Sequence, residues 1–181
     1  VGGGQSRFDD GRSVIDSRVD ADLGEKLFLL MCNGAAANTA ARNLGLLTAT
    51  IHGRRVITEM YVMHLVMGEF VVRMSVSEEA AESIMTNYWR AHRLRQQVQR
   101  EYVSLASDFD ARAPRYREQL RLAAAAEDAA PRMAAFTLTQ AGVDVHKNPR
   151  ALACALDDAN KLVYVVLAML HAAGRIGAKP E

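Results

Sequence analysis

Ser77–Asp110, SEEAAESIMTNYWRAHRLRQQVQREYVSLASDFD, is the longest segment with one unbroken helical period, and it holds the chain's single tryptophan, Trp89. At about 100° per residue, Ala81, Ile84, Tyr88, Ala91, Leu94, Val98, Tyr102, Leu105 and Phe109 fall on one side, three or four positions apart. Arg90, Arg93, Gln97, Arg100 and Ser104 fall on the other, which predicts one long amphipathic helix over about 77–109. Ser75 with Glu78 fits a capping box, and Ser77 followed by Glu78 and Glu79 also suits an N-terminus, where acids meet the positive end of the dipole. Pro114 marks the expected far limit.

Two residues depart from this pattern. Trp89 projects among the arginines, and Arg95 sits within the apolar stripe, where its stem can carry the charge outward. A tryptophan beside arginines fits a protein-binding anchor or a base-stacking platform, and equally a second buried face covered by another helix. Candidate partner-binding residues are therefore Trp89, Arg93 and Arg100, joined by Met63 and Met67 from a methionine cluster that adapts to varied partners when exposed. Between Thr86 and Arg121 stand eight arginines (90, 93, 95, 100, 112, 115, 117 and 121) against Glu101, Asp108, Asp110 and Glu118. The candidate phosphate contacts are Arg90, Arg93, Arg100, Arg112, Arg115 and Arg117. With only four lysines in the chain, the arginine bias also fits the coding composition of the source.

The chain of 181 residues has length enough for one domain with its own core, and 24% charged against 50% hydrophobic residues is an ordinary globular balance. The net charge of +1 gives no overall steering field. Cys32 and Cys154, each in an apolar context, read as buried thiols; this favours a reducing compartment, cytoplasmic or virion-internal. Leu162–Ala173, the longest apolar run, has twelve residues and is too short to span a bilayer. Val1 in place of methionine suits a processed product that has lost a leading segment.

The expected organisation is a flexible arm over 1–22, a single helical domain over 23–176 and a loose tail over 177–181. A first helix should run from Asp20 or Asp22 to Cys32, stopped at Asn33-Gly34, and a second should follow to His52-Gly53. Residues 56–76 read in two ways. Ile57, Met60, Tyr61, His64 and Met67 suit a buried helix, whereas the alternation through Phe70, Val72, Met74 and Val76 after Met67-Gly68 suits a β-hairpin. Helix is the leading expectation, with α+β as the alternative. A basic helix after Pro114 should stop at Pro131, and Asn148-Pro149 should open a buried C-terminal helix over about 149–173 ending at Gly174. The fold class is mainly α, a multi-helix bundle.

Near the C-terminus, Ala134-Ala135-Phe136, Asn148-Pro149 and Ala159-Asn160-Lys161 faintly resemble flexible filamentous virus coat proteins. The acid expected directly after the phenylalanine is missing, and these common residues assign no family. The echo keeps a nucleic-acid-coating protein among the alternatives.

No histidine has another histidine or cysteine at ligand spacing, no serine sits in a nucleophile elbow, and neither cysteine has a neighbouring histidine. His64 and His171 read as core histidines, Asp157-Asp158 as a solvated face. The sequence thus favours a non-enzyme without cofactor or metal. Its leading reading is a helical subunit or adaptor that contacts other proteins as a homo- or hetero-oligomer, and its alternative is a nucleic-acid-binding or coating protein using the arginine surface.

Overall fold

The computed structural model describes residues 7–32, 42, 51–98, 100–123 and 126–177, without the side chains of 7–15, 51–52, 100–107 and 126–127. The described part is mainly α: α1 (Arg7–Met31), α2 (Ile51–Ser75), α3 (Glu78–Val98), α4 (Arg100–Arg121), α5 (Ala126–Gln140) and α6 (Pro149–Ala172). Residues 56–75 are helical, with Val76 in the bend that follows, and the hairpin does not form there. The helix expected through 35–50, residue 42 apart, and the tail beyond Gly177 lie outside the described residues.

The central helix is α2, which packs against each of the other five. Every residue from Thr58 to Gly68 is buried, with Val56, Val71 and Val72 extending the core at either end. A helix that is apolar nearly all round finds its free-energy minimum inside a bundle, and at about 25 cal/mol per Å² its burial is a large share of the driving force. The C-terminal helix α6 was expected to be buried. Instead it buries one face, through Ala155, Ala159, Leu162, Val163, Val166 and Leu170, and leaves Tyr164 74% exposed on the other. Its boundaries match the sequence: Pro149 opens it, and Gly174, at φ +69°, occupies the left-handed region just beyond its end.

The long helix expected over 77–109 is two helices. A straight helix would hold Trp89 and Phe109 about 30 Å apart, yet their ring centroids are 5.4 Å apart, so the chain reverses between α3 and α4. Burial follows: Ala81, Ile84, Met85, Tyr88 and His92 face the core, whereas Leu94 and Val98, members of the predicted stripe, are 50% and 81% exposed. With α1 on one side and α4 on the other, the apolar arc of α3 shifts towards His92 and leaves the stripe's last turns outside. Of the two capping serines, Ser77 is the one used, its Oγ accepting from the Ala80 amide at 3.4 Å. Pro114 does not end a helix; it lies within α4, which runs on to Arg121, and Pro131 likewise lies within α5.

The first helix begins at Arg7, well before Asp20, so residues 7–22 of the expected arm are helical. The reason is visible at the other terminus. Arg175, after α6, places Nη1 3.1 Å from Asp16 Oδ1 and Nε 2.6 Å from Asp20 Oδ1, and Nη2 donates to the Asp16 carbonyl at 2.6 Å. α1 lies parallel to α3, since Gly24 meets Ile84 and Tyr88 while Cys32, eight positions on, meets Arg95.

Gly24 permits that crossing: a Cβ there would stand 2.2 Å from the Ile84 carbonyl oxygen, a backbone atom that cannot rotate away. Gly24→Ala should therefore lose about 1–3 kcal/mol by overpacking even though alanine is the better helix former. Urea unfolding of the variant checks this; an unchanged or raised stability would mean that α1 and α3 cross less closely.

Candidate functional site

The burial of α2 has a chemical cost, because it carries Glu59, His64 and Glu69 into or beside the core. Each meets a counter-group from another helix. Glu59, 1% exposed, is ion-paired with Arg112 of α4 and accepts from the Tyr116 hydroxyl at 2.8 Å. His64 Nε2 lies 2.6 Å from Asp158 Oδ2 of α6. Glu69 receives Arg117 Nε and Nη2 on one oxygen at 3.0 and 2.8 Å, and Arg73 Nε on the other at 3.3 Å. An unpaired buried charge costs several kcal/mol, so these pairs fix which helix may stand beside which stretch of α2.

The second polar centre is aromatic. Trp89 packs edge-on to Tyr88 at 4.8 Å, meets His92 at 5.6 Å and Phe109 at 5.4 Å, and carries the Arg117 guanidinium 5.6 Å from its ring centroid. Phe28 of α1 closes the cluster against Tyr88 and His92. Tyr88 donates to the Leu65 carbonyl at 3.0 Å. Burial raises the Tyr88 and Tyr116 hydroxyl pKa values, for Tyr116 with the Glu59 carboxylate adding to the effect, so both stay protonated donors. Burial also lowers His92, opposed by Asp110 and assisted by Arg93. For Cys32 burial raises the thiol against the pull of Arg95, whose Nη1 donates to its Sγ at 2.9 Å; neither cysteine forms a disulfide.

The residues singled out in the sequence divide accordingly. Trp89 is half-buried and packed against Tyr88, His92, Phe109 and Arg117 of its own chain. Met63 and Met67 are fully buried in the core and line no surface. Arg112 and Arg117 are engaged by Glu59 and Glu69. Arg90, Arg93 and Arg115 are exposed and make no ion pair with a described residue, and Arg100 has no described side chain. His171, expected in the core, is exposed. Asp157 and Asp158 part company: Asp157 pairs with Lys161 at the surface, while Asp158 turns in to His64. Sequence reasoning missed that pairing, since 94 positions separate the two; the signal available was an acid and a histidine each lodged in an otherwise apolar helical face.

His64 and Asp158 border a cavity of about 130 Å³ lined by Leu30, Met31, Lys161, Leu162 and Val165. A second cavity, about 320 Å³, opens between α1 and α6 along Val19, Leu23, Met169, Ala172 and Ala173, with Asp22 and Lys26 at its rim. Ligand sites usually enclose about 300–1,000 Å³ with convergent polar groups. The first has the polar pair without the volume, the second the volume without the pair. Among the described residues no group of three or more His, Cys, Asp or Glu could hold a metal ion, and no helix is long and apolar enough to cross a membrane. No protein family, no curated protein and no solved structure matches the chain.

Two outcomes follow from this chemistry. Arg112→Ala strands the Glu59 carboxylate in the core and should cost about 2–4 kcal/mol, whereas Arg121→Ala, at a surface pair, should change stability by less than about 0.5 kcal/mol. Equilibrium denaturation of the two variants compares them, and equal losses would remove Glu59 from the stabilising core. For His92 the sign is set by its lowered pKa. An unfolded imidazole takes a proton near pH 6.5, and the folded one resists it, so below about pH 6.5 the unfolded state binds more protons and stability falls with pH. His92→Phe should flatten the loss below about pH 6.5, read from denaturation midpoints, and an unaltered slope would assign that loss to other groups.

Proposed function

We propose that the protein is a non-catalytic helical subunit or adaptor that acts through contacts with other proteins. The observation that supports this most is the exposure of large apolar side chains at the shared end of the parallel helices α1 and α3: Leu29 is 51%, Leu94 50% and Val98 81% exposed. Single exposed leucines are ordinary, but apolar residues gathered at one end of two packed helices mark an interaction surface. Glu59, His64 and Glu69 are engaged in holding α4 and α6 to α2. The coating alternative has narrower footing, because Trp89 is half-buried against Tyr88, His92, Phe109 and Arg117 and two of the six arginines serve internal carboxylates.

Size-exclusion chromatography with light scattering at low salt, with absorbance at two wavelengths, tests this reading. The expected result is a defined oligomer or stoichiometric protein complex free of nucleic acid. Leu94→Glu combined with Val98→Glu should lower the assembled mass without shifting the thermal melt. Nucleic acid that co-elutes at low salt and dissociates at high salt would overturn the proposal in favour of the arginine surface.

A further inference from the structure

With α1 and α4 on its two flanks, α3 turns a continuous outer stripe to solvent: Glu79, Glu82, Thr86, Arg90, Arg93 and Gln97 are all exposed, spaced three and four apart. Its charge changes sign at the middle. Glu79 and Arg93 each stand seven positions from Thr86, and Glu82 and Arg90 each stand four. Arg90 and Arg93 pair with no described acid, Glu79 with no described base, and Glu82 reaches only the surface residue Arg73 at 2.6 Å.

We infer that this face is where a second copy of the chain docks, antiparallel, about a two-fold axis at Thr86. A two-fold interface must be complementary to itself, so residue i meets j as j meets i. Reversing α3 about Thr86 brings Glu79 level with the partner's Arg93 and Glu82 level with the partner's Arg90, each contact made twice. The same reversal carries Val98 towards the start of the partner's α3, beside the end of α2, where Met74 is 51% exposed. Leu94 comes level with the partner's Glu78. The helix dipole alone favours acids at the start of α3 and bases at its end. It does not account for Leu94, Val98 and Met74 standing exposed at the same two ends. This inference rests on the protein-contact reading above and names its partner.

Sedimentation velocity on the full chain is the test, with two charge variants: Glu79→Arg with Glu82→Arg, and Arg90→Glu with Arg93→Glu. The wild type should dimerise at low salt and loosen as salt screens the pairs. Each variant alone should dimerise about tenfold or more weakly, because like charges face each other, and an equimolar mixture should recover a heterodimer. Unchanged melting curves exclude misfolding, and recovery on mixing cannot arise from an unfolded chain. If the wild type is oligomeric and neither variant alters it, docking through α3 is overturned while the protein-contact reading stands. Variants that weaken without recovery on mixing overturn the antiparallel register. A wild type that stays monomeric overturns self-association, and co-purifying nucleic acid removes the protein-contact reading as well.

Discussion

The fold depends on the Glu59 carboxylate, which is buried to 1% exposure in the central helix α2. Hydrophobic burial of α2 is non-directional and would tolerate many arrangements of surrounding helices. A buried carboxylate is not so tolerant. It demands a cation and a donor at defined places, and α4 supplies both from successive turns, Arg112 and Tyr116. Glu69 makes the same demand further along α2 and is answered by Arg117 of the same helix. Two anchors fix the position of α4 against α2, and this in turn forces the reversal that separates α3 from α4.

That reversal explains why the aromatic cluster exists. Once α4 is held by α2, Phe109 arrives at Trp89 and His92, and Arg117 covers the indole while bound to Glu69. The tryptophan is thus packed by the consequence of an ion pair two helices away. His64–Asp158 does for α6 what Glu59–Arg112 does for α4, and Arg175 with Asp16 and Asp20 ties the chain's end to α1. The polar groups act as addresses within an apolar core.

Helix content, the helical reading of 56–76 and the start of α6 at Pro149 were legible because they rest on local signals: period, cap and proline. The break between α3 and α4 was not. The apolar period runs through it without interruption, and only the distant pairing of Glu59 and Glu69 with α4 reverses the chain. Pro114 misled for a related reason, since tertiary packing outweighs the single hydrogen bond a proline removes. Met63 and Met67 illustrate the same limit, because the residue type suits both a pliable surface and a core, and only the helices around α2 decide. Arg112 and Arg117 looked like surface charge until their carboxylates were located 53 and 48 positions away.

What remains outward after these internal demands are met is informative by subtraction. α1 and α4 claim both flanks of α3, the ion pairs claim the arginines of α4 nearest the core, and the aromatic cluster claims Trp89. Among the described residues the outer stripe of α3 is engaged only by Arg73 at Glu82, although it is ordered in sign and edged by Leu94 and Val98. A solvated stripe held only by solubility would be served by any mixture of charges. One whose acids and bases mirror each other about a single threonine, with apolar side chains at both ends, matches in charge a surface with the opposite sequence, and its own copy, reversed, has that sequence.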